Sequence, residues 1–459
     1  MAAGGSPGDL STLVGALRRA LDGRRLIWFG TRGEDGEALL RLPELQASFA
    51  VTAPIRSGRL DERSNLTLES LSGERPDLDR HDIDLDGSAA AHEFRRRLIR
   101  EASTRCAVIT YRPAHFVSAM SFSLIETMVL AGLFKDRQFA FEHKPWVETS
   151  LSRRGVRTLG WRYVADEHRP RVRRLAEAGA LVLRANRASG GVGVVRVDDA
   201  TEVDDLWPID AEGFVGAAEY LDGAIPLNFS GCVYPNGAVR LHPVSFQIIG
   251  VPLCTERPFG YCGNDFAAAA SLSNQVLHDL DRMGRKIGRW LHSERYFGAF
   301  GVDALLKDEQ ACFTEVNPRF QGSSALSAEI AAQLGLPDLF LEHLAANLGV
   351  EPEGRGPSLR EWVAQAPPAA HVVVHNTTGI EVERRQPPFP PAGGTIAQLL
   401  PAGVRALPGA TLFRVCLAGP ATETGFDLLK EVRESVERAI SCFASELSDV
   451  TGQVDAAHA

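Results

Sequence analysis

Lysine, paired cysteines and long apolar runs are all scarce in this chain of 459 residues. Lysine stands at only five of the 49 basic positions, and the formal net charge of −9 argues against a broad nucleic-acid-binding surface. The seven cysteines are scattered and form no C-x-x-C pair. This pattern argues against a disulfide framework or a zinc site and favours reduced thiols in a cytoplasm.

Signals for export and membrane insertion are missing as well. The N-terminal residues show no basic segment followed by an apolar one, so no signal peptide is predicted. The longest apolar stretch, residues 116–133, is interrupted by serines and by Glu126, and we predict a buried helix there rather than a membrane span. We therefore expect a cytoplasmic protein with neither a membrane nor a nucleic-acid partner.

What is present is typical of a soluble globular protein, with 44% hydrophobic and 23% charged residues. The length allows about three domains of ordinary size. Apolar strands near residues 25–33 and 105–111 alternate with helical segments at residues 10–21 and 90–102. Such alternation predicts a parallel sheet covered on both faces in the first part of the chain.

Residues 298–324 form the most informative stretch. Two β-prone apolar segments flank a polar turn at residues 307–310, which predicts a hairpin. Because side chains at i and i+2 share one face of a strand, Glu315 and Asn317 should point the same way, and Asp303 joins them if the strands pair antiparallel. Two carboxylates and an amide oxygen at close range favour a hard cation such as Mg²⁺. The alternative is an exposed polar hairpin face.

Arg319 extends the same row of polar residues, and its guanidinium suits a carboxylate or an acyl phosphate. A second informative stretch, residues 180–197, reads as a strand, a glycine-rich turn and another strand. The glycines permit positive φ and a close approach of the backbone to an anion. A loop of this kind can also close over a nucleotide. No G-K-[ST] follows, so it is not a Walker A loop; a plain glycine hairpin is the alternative. The loop residues concerned are Ser189, Gly190, Gly191 and Gly193.

Together these stretches resemble the ATP-grasp superfamily, which includes D-alanine–D-alanine ligase, biotin carboxylase and the L-amino acid ligases. The resemblance covers about residues 25–350. It implies an α/β chain with four parts: an N-terminal Rossmann-like pre-ATP-grasp domain (1–135), a two-lobed α+β ATP-grasp core with its glycine-rich small lobe (136–215) and metal-binding large lobe (216–355), and a small α+β C-terminal cap (356–459).

The resemblance also implies the cofactors, ATP and Mg²⁺, with Mn²⁺ as a substitute. It places Asp303, Glu315 and Asn317 on the metal. The glycine-rich loop would lie over the phosphates, and Lys144 would contact the α-phosphate. Arg184 stands where the family usually has lysine; it keeps the charge but changes the geometry of the contact.

The remaining site residues follow from shorter motifs of the same family. Glu219 would meet the adenine amino group, and the backbone of Tyr220 and Leu221 the ring nitrogens. Asn228 would approach the ribose or the metal. Arg257, in a long polar and aromatic loop, is a candidate for a substrate carboxylate, and Arg319 would orient the reacting group.

By this resemblance the chain is an ADP-forming ligase that activates a carboxylate as an acyl phosphate and joins it to an amine. Its partners would be small-molecule acids and amines, such as amino acids or peptides, in the biosynthesis of a small peptide or natural product. Related enzymes are often dimers, so a homodimer is one expectation. Two alternatives stay open: a biotin- or bicarbonate-type carboxylase, and an ATP-binding regulatory module without catalysis.

Overall fold

The structure is a computed structural model that describes residues 9–187, 190–387 and 394–443. Its N-terminal region alternates strands with helices. In chain order these elements are α1 (Leu10–Leu21), β1 (Arg25–Arg32), β2 (Leu45–Thr52), β3 (Asn65–Thr67), α2 (Leu68–Ser72), β4 (Glu74–Arg75), α3 (Ala89–Ala102), β5 (Cys106–Thr110), α4 (His115–Ser123), β6 (Met128–Ala131), α5 (Lys135–Phe141) and α6 (Lys144–Ser152).

A parallel sheet of order β3-β2-β1-β5-β6 organises this region, as predicted. Its central strand is apolar on both faces. Leu26 and Trp28 pack into one hydrophobic core, and Ile27 and Phe29 pack into another. Burial on both sides is the usual condition of parallel sheets, since their crossover helices cover the faces.

The single buried helix predicted over residues 116–133 is wrong. The chain forms α4 as far as Ser123, turns at residues 124–127, and then forms β6, which pairs in parallel with β5. An apolar run of this length fits either a buried helix or a buried strand, because both hide all their side chains. The pairing of Met128 with Cys106 decides for the strand.

The next region is a small antiparallel sheet of order β7-β10-β8-β9. Its first strand forms at residues 162–165, and Thr158 makes an isolated bridge to Phe313. The elements are β7 (Arg162–Ala165), α7 (Arg169–Ala176), β8 (Leu181–Ala185), β9 (Val194–Val197) and β10 (Phe214–Glu219).

The third region carries long antiparallel strands backed by helices. A 20-residue helix capped by Ser273 precedes the predicted hairpin. The elements are β11 (Ile225–Val233), β12 (Val239–Ile249), β13 (Tyr261–Asp265), α8 (Asn274–Ser293), β14 (Gly298–Lys307), β15 (Gln310–Asn317), α9 (Ser324–Gln333) and α10 (Leu339–Asn347).

The C-terminal strands continue the sheet of the third region. The shared sheet has the order β15-β14-β11-β12-β13-β16-β20-β18 and so runs across the boundary predicted at residue 356. The elements are α11 (Leu359–Gln365), β16 (Ala370–His375), β17 (Val382–Glu383), β18 (Gly394–Ala397), β19 (Arg405–Ala406), β20 (Thr411–Leu417) and α12 (Lys430–Ile440). Within the three described ranges, every helix is too short or too polar to cross a membrane.

His343 of α10 joins the N-terminal region to the shared sheet. Its Nδ1 accepts a hydrogen bond from the Ala299 backbone N–H at 2.9 Å, and its Nε2 lies 3.1 Å from the Ala131 carbonyl oxygen. Because the carbonyl can only accept, the ring is neutral with its proton on Nε2. Burial lowers the pKa of His343 to about 4.

Because of His343, we expect the free energy of unfolding to fall in mild acid. The unfolded chain takes up a proton below about pH 6.5, whereas the folded protein does so only below about pH 4, so stability falls as the pH drops through that window. The difference in unfolding free energy between wild type and His343→Gln should shrink by about 2 kcal/mol between pH 7.5 and pH 5. Urea unfolding at both pH values measures it, with the exposed His278→Gln as the control. A difference that stays constant would contradict the role of His343.

Candidate functional site

The predicted hairpin is confirmed, and its register brings two acids face to face. Asp303 of β14 pairs with Glu315 of β15, and Gly301 pairs with Asn317. The turn consists of Asp308 and Glu309, whose φ angles are 48° and 58°. Two consecutive residues with positive φ match the twist of antiparallel strands and fix the register.

Asp303 lies at the centre of a polar network. Its Oδ1 accepts hydrogen bonds from the side-chain amides of Asn228 at 2.7 Å and Gln247 at 2.9 Å, and its Oδ2 accepts from Asn317 at 3.2 Å. Burial and the neighbouring Glu315 carboxylate raise the pKa of Asp303 to about 7. A buried carboxylate whose pKa is raised, beside a second carboxylate, forms a site that a cation would stabilise.

Glu315 is held from the opposite side by a lysine. The Nζ of Lys144, the first residue of α6, lies 3.2 Å from Glu315 Oε1 and 3.4 Å from the carbonyl oxygen of Asn186. Lys144 is almost fully buried. The structure therefore brings the predicted phosphate-binding lysine next to the predicted metal ligand.

Arg319 completes this cluster. It donates to Asn317 Oδ1 at 3.0 Å and faces Glu142 Oε1 at 3.4 Å. Asn317 thus uses its oxygen for Arg319 and its amide nitrogen for Asp303. In this arrangement the carboxylates of Asp303 and Glu315 are the metal-ligand oxygens that face the site. For the Asn317 oxygen to bind a metal, its hydrogen bond with Arg319 would have to break.

Two cavities meet at this cluster. One is polar, with a volume of about 280 Å³, and is lined by Asp303, Asn317 and Arg319 on one side and by the N-terminal sheet on the other. The second has a volume of about 200 Å³ and a more apolar wall that includes Leu159, Val182 and Leu305. Residues shared by both linings mark their boundary: Gly190, Gly191, Val194, Gln247, Ile249, Phe259, Thr314 and Glu315.

The glycine-rich loop separates the cavities. Gly190, Gly191 and Gly193 all have positive φ, between 61° and 74°. A Cβ atom at Gly190 would lie 2.1 Å from the Asp79 carboxylate, and one at Gly191 would lie 2.1 Å from the Phe259 carbonyl oxygen. The loop therefore requires glycine for both its backbone angles and its close contacts. Ser189 lies outside the described residues.

Arg184 faces the second cavity but is tightly bound within the small sheet. Its guanidinium lies 3.6 Å from the Trp161 ring centroid, 2.9 Å from Glu148 Oε1 and 3.0 Å from the Thr314 carbonyl oxygen. A planar, forked group can satisfy these three partners together, which lysine could not do. This contact set explains why arginine fits at the position where the resembling family has lysine.

Glu219, Tyr220 and Leu221 line the far end of the second cavity. Glu219 ends β10, and the Tyr220 backbone N–H donates to the Ala180 carbonyl at 3.0 Å. Arg196 stacks over the Tyr220 ring at 4.2 Å. The Tyr220 N–H is thus engaged within the small sheet, and the contacts predicted between residues 219–221 and an adenine ring stay a prediction.

Arg257 lies apart from the carboxylate cluster. It forms ion pairs with Asp77 and Asp79, the latter at 2.7 Å, and donates to the Gly190 carbonyl at 3.3 Å. It is not part of either cavity lining. Its predicted role at a substrate carboxylate stays a prediction, while its observed contacts tie the glycine-rich loop to the N-terminal region.

Several residues of the site were not predicted from the sequence. Gln321 lies in the stretch 298–324 but was given no role there, and the other residues belong to strands and loops that reach the cluster only through the fold. The unpredicted residues are Thr31, Arg32, Arg112, Gln247, Tyr261 and Gln321.

No group of three or more His, Cys, Asp or Glu side chains able to hold a metal occurs in the part of the chain that the structure describes. The predicted metal site has two such residues, Asp303 and Glu315. This donor set fits Mg²⁺, which commonly takes one or two carboxylates and fills its remaining positions with phosphate and water oxygens.

A small antiparallel lobe with a glycine-rich loop, set against a larger sheet that carries paired acids, defines an ATP-grasp fold. The chain contains an ATP-grasp domain: the family model described as an ATP-grasp domain matches residues 174–323. A comparison with curated proteins gives no match.

Solved structures with the same fold cover nearly the whole chain. The biotin carboxylase domain of 2-oxoglutarate carboxylase from Hydrogenobacter thermophilus, solved with MgADP, ADP and bicarbonate, has a TM-score of 0.60 at 13% identity and covers 92% of this chain and 90% of its own. Carboxyaminoimidazole ribonucleotide synthase from Aspergillus clavatus, complexed with ATP, gives 0.57 at 15% identity, with 91% and 99% covered. The Thermus thermophilus N5-carboxyaminoimidazole ribonucleotide synthetase gives 0.55 at 16%, with 91% and 98% covered. The α/β fold predicted from the resemblance is confirmed.

The ion pair of Arg184 and Glu148 predicts a large stability effect. Their side chains are 5% and 7% exposed, so Arg184→Met leaves a buried carboxylate without its partner and should cost about 3–5 kcal/mol of unfolding free energy. Urea denaturation measures this, and adding Glu148→Gln should recover part of the loss.

The matched control lies in the same lobe. Arg173 pairs with Asp204 at the surface, where both side chains are more than two-fifths exposed, so Arg173→Met should cost less than about 1 kcal/mol. Equal effects of the two arginine substitutions would contradict the assignment of Arg184 to a buried pair.

Proposed function

We propose that this chain is an ADP-forming ligase that uses Mg·ATP to activate a carboxylate as an acyl phosphate, which an amine then attacks to give an amide. The observation that carries the proposal is the meeting of two cavities of different chemistry at Glu315. One suits a nucleotide base and the other suits a polar acid. The groups that would contact the phosphates of ATP lie between the two cavities.

ATP is proposed to occupy the more apolar cavity. Leu159, Val182 and Leu305 would contact the flat adenine ring, and the edge formed by residues 219–221 would supply hydrogen bonds. Lys144 and Arg184 lie toward the boundary, where cations would meet phosphate oxygens. The neighbours solved with ATP or ADP support this choice of nucleotide.

Asp303 and Glu315 would hold Mg²⁺, with Asn317 as a third oxygen donor once Arg319 turns away from it. When bound, Mg²⁺ would neutralise phosphate charge. Phosphoryl transfer needs mainly positioning and charge neutralisation from a protein. Arg319 would orient the acid for in-line attack on the terminal phosphate, and the backbone N–H groups of the glycine-rich loop would fix the phosphates.

A bicarbonate-dependent carboxylase is the second candidate. It is favoured by the names of two fold neighbours, 2-oxoglutarate carboxylase and carboxyaminoimidazole ribonucleotide synthase, which denote carboxylation or a carboxylated product. In that case bicarbonate takes the place of the acid in the polar cavity. The activation step is the same, so the two candidates differ only in which acid stimulates ADP formation. The regulatory-module alternative predicts no ADP from either.

The activation step can be tested with hydroxylamine as a trap. Wild type with Mg·ATP, pooled carboxylic acids and hydroxylamine should release ADP and form a hydroxamate. Stimulation by ¹³C-bicarbonate without any other acid would favour the carboxylase. AMP as the product would overturn the proposed mechanism, and no ADP with any acid or bicarbonate would favour the regulatory module.

Glu315→Gln should lower ADP formation at least a hundredfold while leaving the thermal unfolding temperature within a few degrees. The glutamine amide is a weak metal ligand and cannot form the ion pair with Lys144, so the variant loses both the metal contact and the ion pair of Glu315. Glu309→Gln, at the turn of the same hairpin, is the control and should retain activity. Normal turnover by Glu315→Gln would refute the metal assignment.

A further inference from the structure

An apolar stripe lies on the surface of the N-terminal region, outside both cavities. It is formed by α4, by the turn that follows this helix, and by the start and middle of α5. Its four large side chains belong to neither cavity lining. Their exposed fractions are 66% for Phe122, 72% for Ile125, 37% for Phe134 and 42% for Phe139. Single exposed apolar side chains are ordinary, but a contiguous group of them marks an interaction site.

Direct contacts make this group contiguous. The rings of Phe122 and Phe134 stack with their centroids 5.1 Å apart, and the ring of Phe139 lies 5.8 Å from that of His115. His115 and Phe122 both belong to α4, at the i and i+7 spacing that places two side chains on one face of a helix. The segment from Phe134 to Phe139 therefore runs along the exposed face of α4.

The stripe is held in a fixed arrangement before any partner binds. The two carboxylate oxygens of Asp84 accept hydrogen bonds at the start of α4, from the His115 N–H at 2.7 Å and from the Phe116 N–H at 2.9 Å. The Lys135 backbone N–H donates to Ser118 Oγ at 3.1 Å, which fixes the start of α5 against the middle of α4. Docking on this surface thus requires little further ordering of the chain, and this favours binding.

The segment that carries the stripe is balanced in charge. It contains two acids, Glu126 and Asp136, and two basic residues, Lys135 and Arg137. The Nζ of Lys135 lies 5.4 Å from the centroid of the Phe139 ring, so this ammonium group is directed onto the stripe itself. A partner with a large net charge of either sign would find no matching excess here.

The small lobe adds a charge that is balanced as well. The guanidinium of Arg187 lies 6.0 Å from the centroid of the Phe139 ring, and its Nε lies 2.6 Å from Glu212 Oε1. Because this arginine is already paired with a carboxylate, it gives the stripe no excess of positive charge.

Charge balance and aromatic content favour a second copy of the chain as the partner. A two-fold interface places the same surface of two molecules face to face, so that surface must be self-complementary. A balanced aromatic surface meets this condition, whereas an excess of one charge would oppose it. The chain as a whole carries a net charge of −9, so two copies repel each other on average, and apolar burial has to supply the attraction.

We propose that the apolar stripe is the interface of a symmetric dimer of this chain, in which Phe122 and Phe134 of one copy pack against the same side chains of a second copy. The homodimer expected from the sequence is thereby assigned to a particular surface. The inference does not depend on the proposed function, because neither cavity takes part in the interface.

Sedimentation velocity of the full chain tests the proposal. We expect a monomer–dimer equilibrium at protein concentrations of about 1–100 µM, as for an interface of modest size. Because the stripe has no excess charge and the copies repel each other elsewhere, added salt should leave the dimer unchanged or strengthen it. A chain that stays monomeric throughout this range, or a dimer that dissociates in salt, would overturn the proposal.

Substitutions inside and outside the stripe provide the matched comparison. Phe122→Asp should weaken the dimer at least tenfold, because each copy then buries a carboxylate in an apolar interface. Ile125→Asp should act in the same way, and neither change should lower the unfolding temperature, since both side chains are mostly exposed. The control is Ile209→Asp, which adds the same charge at an exposed apolar position of the small lobe and should leave the dimer intact. Equal weakening by all three variants would indicate a general effect of charge and contradict the assigned surface.

Hydroxyl-radical footprinting locates the interface without any substitution. The wild-type chain is labelled below and above the dissociation constant of the dimer. Labelling of Phe122 and Phe134 should fall severalfold when the dimer forms, while labelling of Ile209 should stay constant. A dimer in which both phenylalanines keep their full reactivity would refute the stripe as the interface.

Discussion

The structure depends on two carboxylates held opposite each other in one hairpin. Asp303 and Glu315 are paired by the register of β14 and β15, and that register is fixed by a two-residue turn with positive φ. Without further contacts such a pair would repel, and burial together with this repulsion raises the pKa of Asp303. The surrounding side chains are arranged to offset it. Amide donors from β11 and β12 hold Asp303, and a buried lysine from α6 holds Glu315.

These offsetting contacts also join the parts of the chain. Lys144 and Arg319 link the hairpin to residues 142–186, and Arg184 reaches the Thr314 carbonyl next to Glu315. His343 fastens the start of β14 to the N-terminal sheet. The acid pair is therefore the point on which three regions converge, and the two cavities exist because those regions meet there without filling the space.

The parts of the site that local sequence determines could be predicted. The hairpin could be predicted from alternating apolar residues around a polar turn. The glycine-rich loop could be predicted because its glycines occur where positive φ angles and close contacts require them. Gln247, Thr31 and Arg112 could not be found this way, because they reach the site through strand order and register across more than a hundred residues. The apolar run at residues 116–133 misled for a related reason: its composition suits a buried helix and a buried strand equally, and only pairing with β5 selects the strand.

The glycine-rich loop, which separates the two cavities, is contacted both by the N-terminal region and by the loop before β13. Gly190 lies against Asp79 of the N-terminal region, and Gly191 lies against Phe259 of the loop before β13. Arg257 binds Asp79 and the Gly190 carbonyl together. Asp79 also lines the polar cavity. Asp79 and the glycine-rich loop are thus connected through one side chain, that of Arg257, and one carbonyl, that of Gly190. The two cavities are structurally linked through this contact, just as the two acids are linked through the hairpin.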